Sequence, residues 1–298
     1  MNPNPILRRL GLADADRAVI IHADDVGMCQ ASVAAYAELA DLGAVSSASV
    51  MVPCPWFLEA AACCRARPQA DVGVHLTLTS EWQTYRWGPI STRDPASGLL
   101  DAEGCFHRDS ASVQARARAE AVQAELCAQV ERARAAGIDV THVDTHMGTV
   151  LHPKFIEGYL RLALERRVVP MVLRLDEAGA RARGLDAVTA AMLAREVADL
   201  EAQGVPLIDH IAGLPLDRPA RRLDQVRKIL RSLPPGVTHL IFHPALDTPE
   251  LRAIAPDAAG RVADYQALAS PELWRFLAGS GLHVIGYRAL RDLLPTPG

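Results

Sequence analysis

The chain has 298 residues, half of them hydrophobic and 22% charged, a balance able to bury a sizeable core in one large α/β domain or two smaller ones. A net charge of −4 argues against a surface built to neutralise phosphates, and an aromatic content of 5% weakens base stacking, so nucleic acid is not an expected partner. No apolar run approaches the roughly 18 residues that a membrane span needs, and the stretch around Arg8-Arg9 lacks the continuous apolar segment of a signal peptide. Cys29, Cys54, Cys63, Cys64, Cys105 and Cys127 form no CxxC pair and sit in or beside Ala-rich segments, which suits a reducing cytoplasm.

Short β-branched runs alternate with long Ala/Leu/Glu/Arg segments along the chain. The runs predict strands over 18–23, 45–50, 72–77, 139–144, 168–173, 205–210, 238–242 and 282–285. The longer segments predict helices over 31–42, 55–66, 112–136, 153–166, 185–202, 223–232, 271–279 and 288–293. Alternation of this kind means parallel strands with helices outside, and seven or eight units favour a closed or nearly closed α/β barrel of the TIM type. One irregular insertion, about 80–110, interrupts the pattern. Its Trp82, Tyr85 and Trp87 predict an ordered loop, and its place directly after the 72–77 strand predicts that it lies over the barrel mouth.

Three strand ends carry polar groups that suit a catalytic metal: His22-Ala23-Asp24-Asp25, Gly73-Val74-His75-Leu76-Thr77, and His142-Val143-Asp144-Thr145-His146. Period-two alternation sets Gly73, His75, Thr77 and Thr79 on one face and His142, Asp144 and His146 on one face. His146, furthest toward the C-terminal end, is best placed as a ligand, and Asp144 can orient a ligand histidine or touch the metal's water. Asp24 and Asp25 point apart if the strand persists, so one can ligate while the other takes a proton. His22, His142 and His239, inside strands, read as packing or supporting groups, whereas His210 ends a strand and can line the mouth. Arg174 ends another strand, where it can pair with Asp24 or hold an anionic intermediate. His243, followed by Pro244, is placed to act as the acid that a departing amine needs.

These pieces resemble the YdjC family of carbohydrate deacetylases, which includes ChbG-type chitooligosaccharide and HpnK-type hopanoid enzymes. The resembling segments occur in order: Ala23-Asp24-Asp25-Val26-Gly27, Ser46 to Val52, Gly73 to Thr79, His142 to His146, Arg174, Phe242-His243-Pro244, and Leu282 to Tyr287. The resemblance spans about 18–295. It implies a single-domain distorted (β/α) barrel over residues 1–298, related to NodB-type polysaccharide deacetylases. It also implies a divalent ion held by Asp25, His75 and His146, with Asp24 as base and His243 as acid. Mg²⁺ is the first choice on resemblance, while two imidazoles and a carboxylate also suit Zn²⁺ by ligand type.

The expected reaction is removal of an N-acetyl group from an amino sugar, with Arg174 assisting and with Asp144, Thr77, Trp82, Trp87 and Met147 facing the substrate. Family members often continue the motif after His146 with a second and third histidine at alternating positions, whereas Met147, Gly148, Thr149 and Val150 follow here, which changes that wall of the substrate site. The rival readings are a metal-dependent isomerase, aldolase or phosphoesterase, and a catalytically silent sugar-binding protein. A cytoplasmic enzyme for a small carbohydrate, plausible as a homodimer, is the overall expectation.

Overall fold

The computed structural model describes residues 2–295; of the domain expected over 1–298, Met1 and residues 296–298 lie outside the described residues. Parallel strands run over Arg17–Val26 (β1), Ser47–Val50 (β2), Val72–Leu76 (β3), Val140–Thr145 (β4), Val169–Pro170 (β5), His210–Gly213 (β6), Gly236–Phe242 (β7) and His283–Val284 (β8). Their spatial order is β5-β4-β3-β2-β1-β7-β6. Short β8 pairs with β1 at Ala18 and Val19, below the point where β2 begins to pair at His22.

The two ends of this order meet in a ragged seam. Leu173 bridges Ile208, the Arg174 N–H donates to the Ile208 carbonyl at 2.7 Å, and the Ile208 N–H donates to the Val172 carbonyl at 3.0 Å. The sheet thus returns on itself as a distorted (β/α) barrel. Prolines make the seam ragged: Pro170 ends β5 early, and Pro206 precedes a strand that starts only at His210, because each removes a ladder donor. Among the described residues no helix is long and apolar enough to cross a membrane.

Alternation along β1 fills the barrel interior in layers. Ala18 and Ile20 join Val169, Met171, Ile208 and Val237 in an apolar lower layer, plugged by Ile6, Leu7 and Leu290. Two residues up, His22 lies among His142, His239 and Tyr287: Tyr287 stacks on His142 at 3.8 Å between centroids and its hydroxyl meets His239 Nδ1 at 2.9 Å. Gly73 makes room for this layer, since a Cβ there would lie 2.5 Å from the His142 ring. The next step up β1 is Asp24, so the interior turns from apolar to aromatic-polar to charged toward the C-terminal mouth.

The helix expected over 112–136 is broken into Ser110–Arg116 and Ala119–Ala135 by extended backbone at Ala117 and Arg118. One helix that periodicity did not indicate, Ala258–Ala269, packs beside β7 and reaches the mouth. Its Gly260 permits close approach to a neighbouring loop, because a Cβ would fall 2.2 Å from the Leu216 carbonyl oxygen.

The insertion is ordered by its own chemistry. Trp82, Tyr85 and Trp87 pack against one another at 5.8–6.1 Å between ring centroids. Trp87 Nε1 donates to the Thr79 carbonyl at 2.7 Å, Tyr85 donates to the Met28 carbonyl at 2.6 Å, and the buried Glu125 carboxylate accepts from the Ile90 and Ser91 N–H groups.

Candidate active site

The two adjacent aspartates do not diverge as an uninterrupted strand would require. Asp25 has φ 62°, in the left-handed region, and the β1–β2 register shifts between Ala23 and Val26. A bulge of this kind re-aims a side chain, and a non-glycine residue at positive φ costs of order 1–3 kcal/mol, held in place by its surroundings. Here it turns both carboxylates toward one histidine: His75 Nε2 lies 3.3 Å from Asp25 Oδ1 and 3.9 Å from Asp24 Oδ2.

Asp25, His75 and His146 gather at the mouth as one group able to hold a cation. Asp25 Oδ1 is 3.2 Å from His146 Nδ1 and 3.3 Å from His75 Nε2, and it is buried without a hydrogen-bond partner. Adjacent ligands of a cation bound at about 2.1 Å lie about 3.0–3.4 Å apart, so these separations and the orphaned oxygen fit a divalent ion. The other Asp25 oxygen is committed elsewhere, accepting from Arg261 Nη1 at 2.8 Å. Burial raises the Asp25 pKa, but Arg261 and the two histidines outweigh it and hold the carboxyl well below its usual range. His146 is raised to about 9: burial would lower it, and Glu81 and Asp25 overcome that effect. Loading a cation therefore displaces protons from these imidazoles.

Below this group lies a second one, His22, Asp24, Asp144 and His239. His22 Nε2 sits 3.0 Å from Asp144 Oδ2, 3.1 Å from Asp24 Oδ1 and 3.1 Å from Ser49 Oγ. Asp144 Oδ1 meets His75 Nδ1 at 2.8 Å, so one aspartate joins the two groups and fixes the His75 ring. Burial would lower the His22 pKa, but Asp144 and Asp24 raise it to about 9, and the imidazolium supplies the positive charge between two buried carboxylates. His239 is pushed down to about 3 by burial and by the nearby His22 charge.

His22 makes the stability of the fold depend on pH. Its folded pKa is raised above the ordinary 6.5, so its contribution is fully present below about pH 6.5 and is lost as pH climbs through about 9. That contribution is roughly 3 kcal/mol in the metal-free protein. Urea unfolding in EDTA from pH 6 to 9.5 should show a stability fall that is visibly flatter in His22→Gln; parallel curves would exclude His22 as its source.

The remaining sequence candidates separate. His243 Nε2 is 3.8 Å from Asp24 Oδ2 across the mouth, its side chain one-quarter exposed, and its backbone N–H donates to Asp264. Met147 is 60% exposed beside His146, in a left-handed turn with φ 56°. Asp144 faces the two histidines rather than open space.

Thr77 is buried and donates its hydroxyl to the His75 carbonyl at 2.7 Å, so it offers no accessible hydroxyl to a substrate. Trp82 and Trp87 are 8% and 4% exposed, locked in the insertion's own core with Trp82 against Arg261, and present no free ring face to a sugar.

Arg174 is not in the site. It binds Glu201 at 2.6 Å and the Asn2 carbonyl at 2.6 Å and lies 3.6 Å from Asp209, near the start of β7. The chain after β5 runs in the seam and turns the arginine to the far end of the barrel, away from Asp24. His210, at the start of β6 opposite Thr238, likewise lies away from the mouth.

Two mouth residues escaped the sequence reading. Arg261 looked like one more charge in an alanine-rich segment, its only hint the i, i+4 spacing from Asp257, which it binds at 2.8 Å. Glu81 heads the insertion and contacts His146 Nε2, with a carboxylate following a strand-end histidine as its only signal.

Fold and site together define a parallel α/β barrel carrying a buried carboxylate–histidine centre, able to hold a metal ion, at the C-terminal ends of its strands. The family model described as YdjC-like protein matches residues 18–279, and the chain belongs to that family. It is similar to a carbohydrate deacetylase of Thermus thermophilus, 37% identical over 289 residues, which span 97% of this chain and 99% of the relative. A carbohydrate deacetylase of Thermoanaerobacter pseudethanolicus is 23% identical over 273 residues, covering 92% and 99%. The fold matches a crystal structure from Enterococcus faecalis, named there as a candidate cellobiose-phosphate cleavage protein, with TM-score 0.73, 22% identity and coverage of 93% and 99%.

Proposed function

We propose that this protein is a metal-dependent hydrolase that removes an N-acetyl group from an amino sugar, releasing acetate and a free amine. The observation that carries this reading is the orphaned Asp25 Oδ1 between His75 and His146, with Asp24 and His243 facing each other beside it. The carbohydrate deacetylases to which the chain is similar support the same chemistry.

Asp25, His75 and His146 would hold the ion. When bound, a divalent cation supplies Lewis-acid polarisation of an acetyl carbonyl and lowers the pKa of water at the site. Asp24 accepts the proton of the attacking water; burial raises its pKa, while the charges of His75 and His22 keep it ionised and ready to accept. As the C–N bond breaks, His243 gives its proton to the departing nitrogen. Asp144 holds the His75 ring, and Arg261 holds Asp25 with one oxygen left free. Met147 lines the open side of the mouth, where it would meet the sugar in place of the histidines of other family members.

Mg²⁺ is the proposed ion, with Zn²⁺ the alternative that the donor set also suits. The free cysteines suit a cytoplasmic enzyme. The test is acetate release from a panel of N-acetylglucosamine conjugates by protein purified without chelator. Release that is abolished by EDTA and restored by one divalent ion is expected. Release indifferent to EDTA would remove the metal, and no release from any amide in the panel would remove the reaction.

A further inference from the structure

We propose that Glu81 is a positioning residue for His146, and that through this contact the ordered insertion is coupled to occupancy of the metal site. The proposal rests on the reading above that Asp25, His75 and His146 hold the ion.

His146 presents its two ring nitrogens in opposite directions. Nδ1 faces Asp25 Oδ1 at 3.2 Å, and Nε2 faces Glu81 Oε1. With Nδ1 as the ligand atom, Nε2 must carry the proton, and Glu81 is its acceptor. A carboxylate on the distal nitrogen fixes the tautomer and rotation of a metal-ligating histidine and raises its basicity, and loss of such a partner typically weakens metal binding about 10–100-fold. His75 has the same arrangement, Nε2 toward Asp25 and Nδ1 on Asp144. The two histidines therefore differ in where the supporting carboxylate comes from: a barrel strand for His75, the insertion for His146.

That difference has a consequence for the insertion. Glu81 has one oxygen on His146, and its other oxygen, Oε2, is buried without a partner. It sits between Ser80, whose N–H donates to the His107 carbonyl at 2.9 Å, and Trp82, which packs against Tyr85, Trp87 and the Arg261 side chain. Arg261 is in turn the partner of Asp25. Neighbouring residues of the insertion thus reach two of the three proposed ligands, His146 directly and Asp25 through Arg261. Whatever orders 80–110 presets the ligands, and by linkage a cation that fixes the ligands must stabilise 80–110 by the same free energy.

The test uses the full chain stripped with EDTA and titrated calorimetrically with Co²⁺, whose visible absorption also reports its ligand field. Glu81→Ala should bind Co²⁺ about 10–100-fold more weakly than the parent. Glu81→Gln, which keeps an acceptor oxygen but no charge, should recover part of the affinity and give a shifted Co²⁺ spectrum at saturation. Hydrogen exchange should show amides of 80–110 protected on Co²⁺ addition in the parent, with that gain reduced in both variants. Parent-like affinity, spectrum and protection in Glu81→Gln and Glu81→Ala would overturn the proposal; should the alanine variant fail to fold, the glutamine variant decides. A His146→Ala control separates the two levels. If it binds Co²⁺ as tightly as the parent, the metal site itself is wrongly assigned, whereas weakened binding there with unaffected Glu81 variants defeats the coupling alone.

Discussion

Asp24→Asn should lower acetate release by about 10³-fold while leaving the metal content of the protein unchanged. The size follows from the roughly 10²–10⁴-fold that a positioned general base contributes. An amide has nearly the shape of a carboxylate, so the variant keeps its packing against His22 and its distance to His243 but cannot accept the water proton. Metal should stay because Asp25, His75 and His146 are untouched. Metal analysis and initial rates on the same preparation are the required pair of measurements. Activity within a few-fold of the parent would remove Asp24 from the base role. Loss of metal together with activity would make Asp24 a ligand, since its carboxylate lies only 3.9 Å from His75 Nε2.

Arg261→Leu should cost about 3–5 kcal/mol of unfolding free energy, the range for removing one partner of a buried ion pair. The guanidinium is buried, bridges Asp25 and Asp257, and packs over the Trp82 ring at 5.6 Å. Without it Asp25 keeps its charge in a dry pocket, loses its guanidinium partner and is left with only the His75 and His146 imidazoles beside it. Two internal controls follow from that physics. The penalty should be larger in EDTA than with saturating divalent ion, because a bound cation offsets the stranded carboxylate. Asp25→Asn added to Arg261→Leu should restore part of the loss, because it removes the stranded charge. Guanidinium unfolding of the four proteins of this cycle, with and without metal, measures all of it. A single variant within about 1 kcal/mol of the parent would show that Arg261 is not what holds Asp25.

How much of this was readable beforehand depends on the distance over which each feature is encoded. His75, His146, the Asp24-Asp25 pair and His243 stood out because each is a polar group ending a run that otherwise reads as buried strand, and strand ends in a parallel barrel converge by construction. Their roles were harder. Alternation made Asp24 and Asp25 point apart, and only the bulge at Asp25, φ 62°, brings both carboxylates to His75. The local trace of that bulge is slight, a glycine at Gly27 and a turn closed by the Met28 N–H on the Asp25 carbonyl, and the carboxylate it turns is held by Arg261, 236 positions away. Arg174 misled for the converse reason: it has the strand-end signature, but the proline-rich seam carries it to Glu201, Asn2 and Asp209 at the opposite end.

The aromatic residues of the insertion divide the same way. Trp82 and Trp87 correctly indicated an ordered loop, because large rings need burial. Which surface would bury them was decided by the loop itself, whose rings close on one another and on Arg261 and leave no face for a sugar.

By itself, then, the order of residues determined an α/β barrel with a histidine–carboxylate mouth, because hydrophobic periodicity and strand-end polarity are short-range properties that survive without a partner. The tertiary structure alone decided which oxygen of Asp25 is free, which side chains support each histidine, and where Arg174 goes. Those outcomes depend on pairings between residues tens to hundreds of positions apart, and a buried charge takes its partner from space, not from sequence.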